Sequence, residues 1–264
     1  MLEYLKKHLD TRWAGKGEIA YEPQMKSTNI RAREMARAGA PHGSLAVCDH
    51  QTAGRGRMTR KWETPAGEAL TQTLLIRPSL PPEQAQLCTF AAALAAAKAI
   101  EEVCPELRPG IKWPNDVVIG SRKCTGILCE MVMDGSRCAV AAGVGINVNQ
   151  SAFGGELADK ATSLFLETGR KTDRRQLLCA YLRHMERAMD ALEESGFEGI
   201  AQEYISRSVT LGRCVRVIGT AETFTGTAKA VDAIGALIVA DENGEQRRVL
   251  SGDVSVRGLM GYVD

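Results

Sequence analysis

The chain has 264 residues, between one and two ordinary domains at roughly 150 residues each. Its 33 Lys and Arg against 32 Asp and Glu leave a formal charge of +1, which excludes a general nucleic-acid coat or a polybasic membrane binder. Hydrophobic content of 44% and charged content of 25% are those of a globular protein able to bury a core.

The longest apolar stretches, Phe90 to Ala97 and Ala139 to Ile146, fall well short of the roughly 18 residues of a membrane span. The N-terminus carries lysines and acids where a signal peptide needs an apolar run. Eight cysteines are scattered with no C-x-x-C pair, and several sit inside apolar runs, which predicts free thiols in a reducing cytoplasm.

Residues 1–26 hold one short amphipathic pattern, Leu2, Leu5 and Leu9, then a loop with Gly15, Gly17 and Pro23. They read as a short extension. Ser27, Thr28 and Asn29 are good N-cap residues before a helix over 30–38. Strand-like runs follow at 45–48 and 70–76, then a helix over 82–103 with Leu87, Phe90, Leu94, Ala97 and Ile100 on one stripe. Strands are predicted at 111–113, 117–119, 126–133 and 138–148, and a second long helix from about 173 to 194. This order is neither strict βαβ alternation nor pure β. It predicts an α+β domain over 27–206, a mixed, mostly antiparallel sheet with helices packed on one face.

After Ser206 the composition changes to five short β-type runs, at 214–218, 223–228, 236–240, 247–250 and 254–256. Asn243-Gly244 is a strong hairpin signal. A small barrel over 207–264 is expected, docked on the first domain because its size is marginal alone.

Three segments can carry chemistry. The first is Gln51 to Trp62, where Gly54 and Gly56 admit close backbone approach and Arg55, Arg57, Arg60 and Lys61 supply cations. Taken alone it reads as a solvated surface loop, a nucleic-acid loop, or a guanidinium clamp for a compact phosphate. The second is Lys112-Trp113-Pro114-Asn115-Asp116, with Lys123 and Gly126 beyond it. Either it is an exposed turn, or Asp116 is a Mg²⁺ ligand and Lys123 a point charge beside a reacting phosphate. The third, Gly143-Val144-Gly145-Ile146-Asn147-Val148-Asn149, lacks the third glycine of a dinucleotide fingerprint, and no P-loop is present.

In this order and spacing, Ser27-Thr28-Asn29, Gln51 with 54–57, Lys112 to Asp116, Arg122 to Leu128 and Gly145 to Asn149 resemble biotin protein ligases. The resemblance runs from Ser27 nearly to the C-terminus, through Gly235 to Val239 and Ser251 to Val256. It implies a class II synthetase-like ligase domain and an SH3-like β-barrel at the C-terminus. It also implies ATP-dependent activation of biotin to biotinyl-5′-AMP, with release of pyrophosphate. Biotin then passes to one lysine of a biotin carboxyl carrier protein or domain.

By the same resemblance, Ser27, Thr28, Asn29, Gln51, Gly54, Arg55, Gly56, Arg57, Lys123 and Gly126 would bind biotin. Arg57, Arg60, Trp62, Asn115, Asp116, Lys123 and Asn147 would lie near ATP, with Lys123, Arg57 and Asp116 catalytic and Asp116 on Mg²⁺. Thr59 stands where the family often has a further glycine. Residues 1–26 are too few for the DNA-binding domain of bifunctional members, so a cytoplasmic ligase without DNA or membrane partners is expected. A homodimer through an exposed sheet edge is compatible with this reading. The alternative within the superfamily is a lipoate or octanoate ligase or transferase.

Overall fold

A computed structural model of the chain describes all residues except 59, 135–136, 220–221, 252–254 and 259–264. Thr59, and positions 252–254 of the C-terminal motif and last predicted strand, therefore lie outside the described residues. Helix α1 (Leu2–His8) buries Leu5, and strand β1 (Ile19–Met25) follows. The order continues with α2 (Thr28–Arg37), β2 (Ser44–Gln51), β3 (Ala69–Ile76) and α3 (Leu87–Val103). Then come β4 (Pro109–Lys112), β5 (Asp116–Ile119), β6 (Arg122–Asp134) and β7 (Arg137–Asn147). Helices α4 (Leu164–Thr168), α5 (Arg174–Ser195) and α6 (Glu198–Ser206) close the first unit.

Seven strands form one sheet in the order β1-β2-β3-β7-β6-β5-β4. Only the β1–β2 pair is parallel; all other pairs are antiparallel. Residues expected to be an extension thus supply the sheet's outer strand. Pro23 and the polar content of β1 hide it from a pattern search, yet an edge strand tolerates proline because one side has no ladder to break.

Alternation along the strands divides the sheet into two faces. Leu45, Val47, Leu70, Leu74, Val144 and Ile146 join the main core with α3 and α5. Helix α3 is alanine-rich and buried nearly all round, since small side chains with high helix propensity let it lie between the sheet and α5. Helix α5 is capped by the Asp173 carboxylate, which accepts from the Arg175 N–H. The shorter α2 packs on the opposite face, where Ala32, Met35 and Ala36 meet Ala46, Leu75, Val132, Ala139 and Ala141. It covers only part of that face. The uncovered part holds the site.

The C-terminal unit is a five-stranded antiparallel sheet in the order β11-β10-β9-β8-β12. Its strands are β8 (Cys214–Ile218), β9 (Thr223–Val231), β10 (Leu237–Ala240), β11 (Gln246–Val249) and β12 (Ser255–Gly258). It contacts the first unit through hydrogen bonds: Trp113 Nε1 donates to the Gly235 carbonyl at 3.1 Å, and Gln86 Nε2 to that of Ile234 at 2.7 Å. Residues 207–209 pair alongside β4 in a parallel bridge, with Ile111 N–H on the Arg207 carbonyl and Val209 N–H on that of Ile111. All eight cysteines are free thiols, and five are buried. Burial pushes the Cys124 and Cys129 thiols up to about 12, so neither is a ready nucleophile. No helix among the described residues is long and apolar enough to cross a membrane.

Candidate active site

The floor of the site is a pair of glycines. Gly126 on β6 and Gly145 on β7 are direct cross-strand partners, and the Trp62 indole lies flat over both. A Cβ on Gly145 would sit 2.5 Å from Trp62 Cε2, and one on Gly126 would sit 2.9 Å from Cζ3. Next along β7, a Cβ on Gly143 would fall 1.8 Å from Asn29 Oδ1. Missing side chains on the strands therefore let an indole and an amide rest on the backbone.

At the start of α2, Ser27 occupies the N-cap position but makes no side-chain cap bond. The open Thr28 N–H instead donates to Gln51 Oε1 at 2.8 Å, tying α2 to the end of β2. The Thr73 hydroxyl lies 2.9 Å from that of Thr28 and 2.7 Å from Asn29 Oδ1. Asn29 Nδ2 donates to the Leu128 carbonyl at 3.0 Å and to Glu130 Oε2 at 2.9 Å. Thr73 and Glu130 escape the sequence reading; Thr73 stands in the polar run Thr71-Gln72-Thr73 of β3, and Glu130 is the one acid within Gly126 to Met133 of β6.

The glycine-arginine loop folds over this layer as a tight return. Trp62 N–H donates to the Gly54 carbonyl at 3.0 Å, and Gly56 N–H to that of Arg60 at 2.7 Å. Arg55 lines the inner pocket and its Nη2 reaches both oxygens of Glu130, at 3.2 and 3.0 Å. Arg57 crosses to the other side, with Nη1 on Asn115 Oδ1 at 3.0 Å and Nη2 on the Ser251 carbonyl. Asn115 Nδ2 in turn donates to the Ile127 carbonyl at 2.9 Å.

A wide space of about 920 Å³ borders the loop, lined by Gly54 to Arg57, Asn115, Leu128 and Glu130, and two smaller ones meet under and beside it. The inner one is lined by Ser27, Thr28, Asn29, Gln51, Arg55 to Arg57, Trp62, Lys123, Gly126, Gly143 and Gly145, and its volume is about 50 Å³. The outer one, about 300 Å³, is walled by Trp62, Trp113 and Phe153. Cations Arg57, Arg60, Lys61, Lys112, Lys123 and Lys160 line it, against carboxylates Glu63, Asp116 and Glu156. Lys123 and Asn115 belong to both spaces.

At the junction, Lys123 Nζ lies 2.6 Å from Asp116 Oδ1 and 5.8 Å from the centre of the Trp62 ring. The backbone of Lys123 is fixed by Lys160 and Thr162, which bridge it to the segment before α4. Asn147 reaches the outer wall with its amide already engaged: Nδ2 donates to the Thr162 carbonyl, and Oδ1 accepts from Gln150. The predicted residues thus come together in one place. Asn147 contributes through the wall it holds, and Arg55 through its tie to Glu130.

The chain is similar to known proteins in sequence and in fold. The biotin/lipoate A/B protein ligase family matches residues 21–147, and the biotin protein ligase C-terminal domain matches residues 210–257. The bifunctional ligase/repressor BirA of Bacillus subtilis is 36% identical over 241 residues, covering 90% of this chain and 74% of the relative. The biotin–[acetyl-CoA-carboxylase] ligase of Paracoccus denitrificans is 35% identical, over 83% of this chain and 93% of the relative. In three dimensions the chain is similar to the Aquifex aeolicus biotin protein ligase solved with biotin and ATP. That match has a TM-score of 0.80 at 30% identity, over 91% of this chain and 99% of the other. The fold and site define an α+β ligase domain with a small β appendage. The chain belongs to the biotin protein ligase family.

Proposed function

We propose that the chain activates biotin with ATP to biotinyl-5′-AMP, releasing pyrophosphate, and passes biotin to a lysine of a carboxylase's biotin carrier domain. One observation carries this reading: a small pocket lined by hydroxyls and amides, with Arg55, Arg57 and Lys123 in its wall, opens into a cation-rich cleft, and Lys123 stands where they join. A ureido ring needs matched donors and acceptors, which Ser27, Thr28, Asn29 and Gln51 supply. A triphosphate needs cations, which Arg57, Arg60, Lys112 and Lys123 supply.

For a carboxylate to attack an anionic α-phosphate, fixed positive charge must offset their repulsion. Lys123 at the junction is the residue for that task, and Arg57, braced by Asn115, stands beside it. A nucleotide-bound Mg²⁺ fits this cleft. It keeps phosphate oxygens and waters and uses few carboxylates, so Asp116 would be its protein ligand and the ion would offset phosphate charge. In the second step the attacking lysine amine must be neutral, against a free pKa of about 10.4. Asp116, beside Lys123, is the carboxylate we assign to accept its proton.

The lipoate or octanoate reading is separated from this one by binding. Calorimetric titration with biotin, lipoate and octanoate is expected to give heat and saturation with biotin alone. Saturation by lipoate or octanoate, with none by biotin, overturns the choice of acid.

A further inference from the structure

Glu130 gathers three partners from two other elements. Its carboxylate accepts from Asn29 Nδ2 at 2.9 Å and from Arg33 Nη1 at 3.2 Å, both on α2. Arg55 Nη2 of the glycine-arginine loop reaches both of its oxygens. Glu130 is on β6, facing α2 beside Leu128 and Val132, and its side chain is 22% exposed while that of Arg55 is 40% exposed. Arg55, Gly56 and Arg57 line the inner pocket from above, and the roughly 50 Å³ beneath them holds little more than a water or two. Lifting the loop would widen that pocket towards the space of about 920 Å³ that Arg55 to Arg57 and Glu130 also line. Lifting it requires Arg55 to leave Glu130.

We infer that Glu130 is a positioning residue, a latch that holds the Arg55 end of the loop over the inner pocket and sets how fast the pocket opens. This rests on the adenylate reading above, and names the residue that governs retention of the intermediate. The latch suits a gate. A partly exposed ion pair is worth little in water, so it yields to an entering ligand, but a two-oxygen grip with a second arginine alongside gives it direction. Once the adenylate is formed, the same contact slows its escape and the entry of water. Because Asn29 shares the carboxylate, the latch also couples the loop to the start of α2.

Two variants break the contact from opposite sides. Glu130→Gln keeps the shape and an acceptor for Asn29 while removing the charge. Arg55→Gln removes the exposed partner and leaves the β6 side intact. Two rates are measured on the full chain: tryptic cleavage after Arg57, Arg60 and Lys61 without ligand, since Arg55→Gln itself removes one trypsin site, and release of biotinyl-5′-AMP made in a single turnover. Each variant is expected to be cleaved in the loop about fivefold faster, with cleavage elsewhere unchanged, and to lose the adenylate about fivefold faster. The double variant should be no faster than either single one. Rates within twofold of the parent, or effects that multiply in the double variant, overturn the latch. Should Glu130→Gln fail to fold, Arg55→Gln decides alone. Should the parent form no adenylate, the proposed function fails, while ligand-free cleavage still decides whether Glu130 holds the loop.

Discussion

The Lys123 ammonium sits 2.6 Å from the Asp116 carboxylate, at the boundary between the small inner pocket and the wider outer cleft. Register explains the meeting: Asp116 opens β5 opposite Gly126, and the irregular pairing after Val117 brings Lys123 back beside it. The ammonium is thus oriented before any substrate arrives. Asp116→Asn removes the partner that orients it, and adenylation is expected to fall about tenfold or more while the protein stays folded. Single-turnover formation of the adenylate measures this; an unchanged rate argues against a shared role for the pair.

The indole of Trp62 needs the glycine pair beneath it. Gly145→Ala places a methyl 2.5 Å from the ring, so the ring must tilt into the inner pocket or the strand must shift. Biotin affinity is expected to weaken at least tenfold. Gly120→Ala is the contrast, because a Cβ there meets nothing within 4 Å and the cost comes only from its φ of +59°. It should lower stability and leave biotin affinity unchanged. Titration calorimetry with thermal unfolding separates the two. Equal affinity in Gly145→Ala and the parent contradicts the floor.

Ligand should protect the loop. With biotin and ATP bound, the pocket side of residues 54–61 gains contacts that the Arg55–Glu130 pair alone does not supply. Tryptic cleavage in the loop is expected to slow tenfold or more on adding both substrates. Equal cleavage with and without them removes the loop from any role in sequestering the adenylate.

Far from the site, Glu186 on α5 accepts main-chain N–H bonds from Arg12, Trp13 and Ala14, at 3.0, 2.7 and 3.1 Å. Burial pushes its carboxyl up, but those three bonds and the Arg12 guanidinium outweigh burial and hold it below the ordinary glutamate value. A carboxyl lowered by folding stabilises fully above its unfolded value near 4.5, and the contribution disappears as pH falls through the lower folded value. Glu186→Gln is expected to cost about 2 kcal/mol at pH 7. The gap to the parent should narrow below about pH 4. Urea unfolding at both pH values checks this; a gap independent of pH contradicts it.

Much of this was legible in the residues. The two long helices and most central strands follow from apolar spacing, and the end of each predicted element moves by only a few residues. Strand β1 was not legible, because an edge strand with one unpaired side tolerates Pro23 and buries little. Helix α6 was missed as well, since only Ile200 and Tyr204 in it are buried and its stripe is too thin to read. In the site, glycines and cations alone left a solvated loop, a nucleic-acid loop and a phosphate clamp open, and the sequence could not say which cation faces where. Arg55 reads like Arg57 in the chain, and only the fold turns one to Glu130 and the other to Asn115. Glu130 itself carried a signal: a single acid within Gly126 to Met133 must find a partner or solvent.

The most direct test of the central claim is biotin-dependent exchange of labelled pyrophosphate into ATP, run on the parent chain and on Lys123→Ala. Exchange with biotin and not with lipoate or octanoate, falling about a hundredfold or more in the variant, is the predicted result. Folded protein that exchanges with neither biotin nor the other acids, or a variant that exchanges as well as its parent, contradicts the account.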